Sequence, residues 1–310
     1  MLRQRKNSYL RKPLFTVKTS TFKILCIVLL CSNILAAQNT DFLFFESRLQ
    51  TLASKILSAE TDSIKDEVNK LLIEDIEEVL LMKGSFQYNF ESFDILSILA
   101  SPDKKFKLFN WVVPKSNNNF EYYAYLQFYT KRKKNQFFIK LNDLSDSVYN
   151  AQSLVFNNGD WFGALYSDII HTEFNKQDFY TLIGWDGNNS TSTKRIVEVM
   201  YLDENEEPVF GAPIIKMNDG TKNRMILEYS KKVSTNITYN SKEEYIVFDH
   251  LEPLEGAQKG MFEFYVPSLS FDGLTFKNGK WRFVEDVAIF NSKDQDMKQD
   301  RNIEQGLQRQ

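Results

Sequence analysis

Cysteine and histidine are scarce in this sequence. Among 310 residues there are two histidines and two cysteines, and both cysteines, Cys26 and Cys31, fall within the first 37 positions. The rest of the chain can therefore form no disulfide and offers no thiolate nucleophile. A zinc site would depend on carboxylates, and no metal-binding motif is present. The sequence accordingly predicts neither a metal site nor a cofactor.

Long apolar runs are also missing, since a membrane-spanning helix needs about 20 consecutive apolar residues. The main apolar run starts at Ile24, ends with one polar interruption at Ala37, and follows a basic stretch without acidic residues. This order is typical of a secretory signal peptide, so residues 1–37 are interpreted as one. We expect an exported protein that is periplasmic or associated with the outer membrane. A lipid anchor on Cys31 is disfavoured, because Leu30 stands where a lipoprotein signal has a small residue.

The charge balance changes if residues 1–37 are removed. The full chain has 38 basic and 41 acidic residues, and the segment contains seven basic and no acidic ones. The remainder therefore has 31 basic against 41 acidic residues, a net charge of −10. An acidic surface of this kind argues against nucleic acid and anionic lipid as partners.

Residues 38–83 are predicted to form an N-terminal helical hairpin. Apolar residues recur there every three or four positions, which gives a helix one apolar face. The stripe consists of Phe42, Phe45, Leu49, Leu52, Ile56, Ile64, Val68, Leu71, Leu72, Ile76, Val79 and Leu80. Polar residues 58–61 separate the two helices, Ser63 with Asp66 predicts the second N-cap, and Gly84 predicts its end. We interpret the stripe as packing on the main domain, with a partner-binding helix as the alternative.

Residues 84–290 are predicted to form an antiparallel β domain. Aromatic and β-branched residues crowd into short runs that are separated by turn residues such as Asn278-Gly279. Twelve runs are predicted as strands: Phe106–Val113, Phe120–Thr130, Gln136–Leu141, Trp161–Phe174, Phe179–Trp185, Arg195–Leu202, Arg224–Ser230, Val233–Tyr239, Tyr245–Asp249, Met261–Val266, Gly273–Lys277 and Lys280–Val284. Short links favour a meander, which a sandwich, a barrel or a small propeller would accommodate. Polar residues 291–310 are predicted to be a disordered tail.

Five residues are candidates for a ligand site. Trp185 and Asp186 end one predicted strand and lead into a turn rich in oxygen ligands, without the spacing of a calcium loop. Asp249 and His250 are adjacent, so on a strand their side chains would point to opposite faces. Asp272 begins an Asp-Gly turn. Catalytic residues are not predicted, because no nucleophile motif accompanies His250.

Four blocks of the sequence together resemble an uncharacterised family of secreted proteins from Bacteroidota. The blocks are Phe179–Asn189, Pro208–Pro213, Tyr245–Leu251 and Phe271–Trp281. The similarity covers roughly residues 85–290 and implies a Gram-negative envelope setting. It implies no activity, and no functional residue follows from it.

Two functions remain open from the sequence. The first is a non-catalytic envelope module that binds or scaffolds a protein or a glycan, which the export signal and the many aromatic residues favour. The second is a periplasmic hydrolase that uses a pair of carboxylates, since such enzymes need two acids at a defined separation. Acidic residues within or beside the predicted strands supply many pairs: Asp160, Asp168, Asp186, Glu198, Glu228, Asp249, Glu263 and Asp272.

Overall fold

The structure is a computed structural model that describes residues 41–93, 95–130, 135–157 and 159–287. The predicted signal peptide, the Cys31 position and the predicted tail lie outside these residues. The chain divides into two compact units, Met1–Phe44 and Phe45–Gln310. Of the first unit only residues 41–44 are described, and they are helical.

The predicted helical hairpin is confirmed. Helical residues 41–58 form α1, and α2 spans Asp62–Leu81. The helices are joined by an ion pair in which the Arg48 guanidinium contacts both carboxylate oxygens of Asp75, at 2.6 and 2.9 Å. The predicted N-cap at Ser63 is wrong, because the Thr61 side chain accepts the hydrogen bond from the Ile64 amide at 3.3 Å. Thr61 has the extended backbone that an N-cap requires.

The first sheet carries the helical hairpin. Its order is β1-β2-β3-β4-β5, with strands Leu96–Ala100, Phe106–Pro114, Phe120–Thr130, Asn135–Asp143 and Asp160–Trp161. Side chains of β2 and β3 hold α2: Trp111 donates to Asn69 at 2.7 Å, and Gln127 donates to the Leu80 carbonyl at 2.8 Å. The apolar stripe of α2 is buried at Leu72, Ile76, Val79 and Leu80. Packing accounts for these four residues, whereas Ile64 and Leu71 of the predicted stripe are exposed, at 45% and 48%.

The second and third sheets complete the β domain. The second has the order β12-β8-β7-β6, with β9 paired to β8, and its strands are Arg224–Ser230, Ser192–Leu202, Gln177–Asp186, Leu165–Phe174 and Pro208–Phe210. The third has the order β11-β10-β16-β15-β14-β13, with strands Gly220–Lys222, Ile215–Met217, Lys280–Val284, Tyr265–Lys277, Tyr245–Pro253 and Ile237–Asn240. Most neighbours are antiparallel, as the short links predict, but β4 with β5 and β10 with β16 are parallel.

The second and third sheets share one apolar core. Val197 and Val199 of β8 cluster with Ile246 and Phe248 of β14 and with Trp281 of β16. The sandwich among the predicted alternatives therefore describes these two sheets. Each sheet has edge strands, and the described residues form no closed barrel. Among the same residues, no helix is long and apolar enough to cross a membrane.

Candidate functional site

The Asp186 carboxylate fixes the turn between β7 and β8. It is buried and accepts hydrogen bonds from the Tyr122 hydroxyl at 3.0 Å, the Asn188 amide at 2.8 Å and the Lys194 ammonium at 3.2 Å. The Tyr122 oxygen in turn accepts from the Gly187 amide at 2.8 Å. Because Tyr122 belongs to β3, this network ties the second sheet to the first. The Asp186 carboxylate is thus occupied by hydrogen bonds from within the protein.

Trp185 is buried beside this turn. Its ring packs edge-on against Phe120, with 5.4 Å between ring centroids. Gly187 is required there because a Cβ atom would lie 2.3 Å from a Phe120 ring carbon. Trp111, Trp161 and Trp281 are also buried, so none of the four tryptophans offers an exposed platform of the kind that stacks on sugars.

Two further carboxyls, those of Asp143 and Asp146, lie beside the Asp186 turn. Asp143 accepts from the Ser145 amide at 2.8 Å and from the Gly163 amide at 3.0 Å, while burial raises the pKa of its carboxyl. Asp146 lies at the surface. Partial desolvation of its carboxyl and, to a smaller extent, the negative charge of Asp186 raise its pKa. We call Asp143, Asp146 and Asp186 the carboxylate cluster. A carboxyl whose pKa is raised in this way can serve as a general acid or base.

His250 and Asp272 form a second candidate pair. The His250 Nδ1 lies 2.6 Å from the Asp272 Oδ2 on the neighbouring strand β15, and this hydrogen bond raises the pKa of the imidazole. The other ring nitrogen lies 3.7 Å from a Glu252 carboxylate oxygen. The Asp249 side chain points away from this pair, and its Oδ2 accepts hydrogen bonds from the Thr235 hydroxyl and the Asn236 amide. Asp249 therefore fixes residues 235–236, whereas the adjacent His250 pairs with Asp272.

A buried ionic cluster lies within the second sheet and was missed by the sequence analysis. Arg224 and Glu198 are each 0% exposed and are paired across β12 and β8. The Arg224 Nε donates to Glu198 Oε1 at 2.7 Å, and the Tyr166 hydroxyl donates to Glu198 Oε2 at 2.5 Å. Further Arg224 donors reach the carbonyls of Ala151 and Leu154. Residues 151–154 therefore cover the Arg224 end of the pair, and Tyr166 covers the Glu198 end.

The hairpin of β14 and β15 ends in an arm that exposes apolar side chains. We define the arm as residues 250–271. Its large apolar residues reach solvent with exposed fractions of 50% at Leu254, 38% at Met261, 38% at Phe262, 39% at Phe264 and 104% at Leu269. The short helical turn Phe262–Phe264 lies against β12 of the second sheet. The arm is therefore anchored on one side and uncovered on the other.

A β-bulge directs Leu269 into solvent. Asp249 pairs with Phe271 and Leu251 pairs with Pro267, so His250 alone faces the three residues 268–270. Ser268 and Ser270 hold the bulge through a 3.0 Å contact between their hydroxyls. Because a bulge re-aims the side chains that it contains, the exposure of Leu269 is built into the backbone. The residue pattern predicts two strands separated by an Asp-Gly turn, but Asp272 and Gly273 lie within the single strand β15, and the bulge takes up the irregular residues before them.

The five sequence-predicted candidates are distributed over separate environments. Trp185 and Asp186 belong to the β7–β8 turn, whereas His250 and Asp272 pair at the base of the arm, and Asp249 supports residues 235–236. One other group, Asp103, His171 and Asp178, brings three metal-ligating side chains together. No local sequence pattern marked it, because its members come from two different sheets.

Comparisons with known proteins add no assignment. A scan against protein-family models, a search of curated proteins and a search of solved structures each found no match to the chain.

Proposed function

We propose that this protein is an exported, non-catalytic module of the bacterial envelope that binds another protein through its arm. Support for export comes from the order of basic, apolar and small residues at positions 1–37. The similarity to secreted proteins of Bacteroidota points to the same setting. The single observation that carries the binding function is the outward presentation of Leu269 by the β-bulge.

A protein suits the arm better than a glycan does. Its exposed residues are mainly aliphatic or flexible, namely Leu254, Met261 and Leu269, and such side chains fill apolar pockets on proteins. A glycan site would instead be expected to present a broad aromatic face with polar side chains around it. The tryptophans are buried, and Phe262 and Phe264 are only 38% and 39% exposed on a turn that lies against β12. Large apolar side chains that are exposed together on one short segment are typical of an interaction site.

The charges of the arm define the partner further. The arm is acidic: it contains three glutamates, Glu252, Glu255 and Glu263, and one lysine, Lys259. We therefore expect an apolar groove with a basic margin on the partner. Complementary charge of this kind chiefly speeds association and selects the partner, while the apolar contacts supply affinity.

Site-specific photo-crosslinking in intact cells tests this function. A photoreactive residue at position 269 should yield one discrete adduct, and the same residue at Tyr149, which is 95% exposed outside the arm, should not. The captured protein is then purified and titrated against the wild type and the double variant Leu254→Ser/Leu269→Ser. We expect the double variant to weaken binding at least tenfold, and raised salt to slow association.

Three outcomes would contradict the proposal. The first is equal capture at positions 269 and 149, which would indicate nonspecific contact. The second is an adduct of two copies of this chain, matched by a dimer in sedimentation, because the arm would then be a self-association surface. The third is binding of a purified envelope glycan that the double variant weakens.

A hydrolase is the second candidate function, and the carboxylate cluster is the observation that favours it. Two carboxyls with raised pKa values, those of Asp143 and Asp146, lie beside the hydrogen-bonded pair of Asp186 and Lys194. Asp146 is the exposed member and would meet substrate first. The test is hydrolysis of envelope glycans by wild type and Asp146→Asn. Activity that the variant loses, with the arm variant unaffected, would favour the enzyme; absence of turnover in the wild type would reject it.

A further inference from the structure

A loop and a hairpin from different sheets bring three metal-ligating side chains together. Asp103 lies in the loop between β1 and β2, while His171 and Asp178 lie on β6 and β7 of the second sheet. The β6–β7 turn is tight, since Asn175 and Lys176 both have positive φ, at 50° and 66°. This turn keeps His171 and Asp178 on one surface of the hairpin, opposite the loop that carries Asp103.

The distances among the three ligands suit a single cation. The His171 Nε2 lies 2.7 Å from Asp178 Oδ1 and 3.9 Å from Asp103 Oδ2, and one ligand atom from each residue lies within 4.8 Å of the others. Ligands at about 2.0–2.2 Å from a tetrahedral Zn²⁺ stand roughly 3.3–3.6 Å apart. Adjustments well under an ångström per atom would reach this spacing.

The surrounding residues orient the ligands. The Tyr180 hydroxyl donates to Asp103 Oδ2 at 2.7 Å, and the Tyr180 ring stacks on the His171 imidazole with centroids 5.3 Å apart. Tyr180 is 0% exposed, so these contacts start from a fixed side chain. Supporting partners of this kind fix ring orientation and carboxylate position in metal sites.

A cationic side chain already bridges the two carboxylates of the group. The Lys105 ammonium bonds to Asp178 and lies 3.4 Å from Asp103 Oδ2. The side chain of Lys105 is 48% exposed, whereas those of Asp103, His171 and Asp178 are 16–26% exposed. Lys105 can therefore swing into solvent, while the ligands are held by the fold and remain within reach of an ion.

We propose that Asp103, His171 and Asp178 bind one divalent transition-metal ion, and that Lys105 competes with it for the carboxylates. One imidazole nitrogen and two carboxylate oxygens form a borderline donor set that suits Zn²⁺, with a fourth position for water. This inference is independent of the arm and of the proposed binding function. It also runs against the expectation from sequence that the chain has no metal site.

Zn²⁺ alone is the probe, and the two histidines supply a matched control. Calorimetric titration of the full chain should show one site; His250→Gln should leave its affinity unchanged, and His171→Gln should weaken it at least tenfold. Lys105→Ala should tighten binding about tenfold, because it removes the competing cation. Wild-type imidazole NMR provides a check without substitution, since Zn²⁺ should shift the resonances of His171 and leave those of His250 in place.

The proposal fails if the wild type binds no Zn²⁺ at micromolar concentration. It also fails if His250→Gln rather than His171→Gln removes the site. Binding by Lys105→Ala that equals or falls below that of the wild type would overturn it as well, because Lys105 would then support the group and not compete for it.

Discussion

The buried ionic cluster and the arm both invert the usual arrangement of a protein, in opposite senses. In the first, the charged residues Arg224 and Glu198 are placed in the interior; in the second, Leu254 and Leu269 are placed in solvent. Arg224 and Glu198 neutralise each other, and they form further hydrogen bonds with Tyr166 and with main-chain carbonyls. The apolar residues of the arm, in contrast, remain exposed to solvent. We infer that the cluster serves folding and that the arm serves recognition.

The largest expected effect comes from breaking the buried ionic cluster. Glu198→Gln leaves the Arg224 guanidinium buried without its counter-charge, and removal of one partner from such a pair costs about 3–5 kcal/mol. Urea unfolding followed by tryptophan fluorescence measures the loss. As the control, Glu198→Leu combined with Arg224→Met removes both charges and should cost much less. A double variant that is as unstable as Glu198→Gln would mean that the hydrogen bonds, and not the charge balance, maintain this region.

Lys107 sharpens the comparison because its ammonium is buried and no carboxylate contributes to its pKa shift. Its ammonium donates to the Tyr88 carbonyl and lies 5.6 Å from the centre of the Phe90 ring, and burial lowers its pKa to about 8. Lys107→Met should therefore stabilise the protein at pH 7 by about 1–3 kcal/mol, given about 1.4 kcal/mol per pKa unit.

The pH dependence of the same variant provides the check. A lysine whose folded pKa is depressed destabilises the protein while it is charged, below about pH 8, and this cost is relieved as pH rises towards the unfolded value of 10.5. The difference in unfolding free energy between variant and wild type should thus shrink from pH 7 to pH 10. A constant difference would contradict the role of charge burial.

A smaller effect is expected at the base of the arm. Hydrogen bonding to Asp272 raises the pKa of His250 from 6.5, so the pair stabilises the folded state below that value and loses its contribution as pH rises through the folded pKa. The imidazole is 37% exposed, and solvent screening limits the contribution to about 0.5 kcal/mol. Unfolding of wild type and His250→Gln at pH 5.5 and 8.5 measures it. Loss of the wild type's preference for pH 5.5 in the variant is the predicted result.

Local patterns in the sequence were sufficient for most of the secondary structure. The strands β3, β12 and β16 begin and end where the aromatic and β-branched runs predict. The N-cap was misplaced because Ser63 and Thr61 are both capping residues, and only the backbone of Thr61 is extended. The short strands β10 and β11 were missed because three residues are too few to show a period.

The candidate sites were less predictable because they depend on contacts between distant segments. Asp103 and His171 come from a loop and a strand that are far apart in the sequence, and Arg224, the partner of Glu198, bonds to a loop that precedes it by 70 positions or more. The exposure of Leu269 follows from the register of β14 against β15, which no run of residue types encodes. His250 and Asp272 were both chosen from the sequence, but their pairing became visible only with that register.

The most direct test of the account is the free energy of unfolding of Leu254→Ser/Leu269→Ser. If these side chains serve recognition, their removal should change stability by no more than about 0.5 kcal/mol, as for surface positions in general, while it weakens binding of the captured partner at least tenfold. A loss above about 2 kcal/mol would show that the arm is packed in the folded protein. Leu269 would then belong to the core, and the proposed binding function would lose its main support.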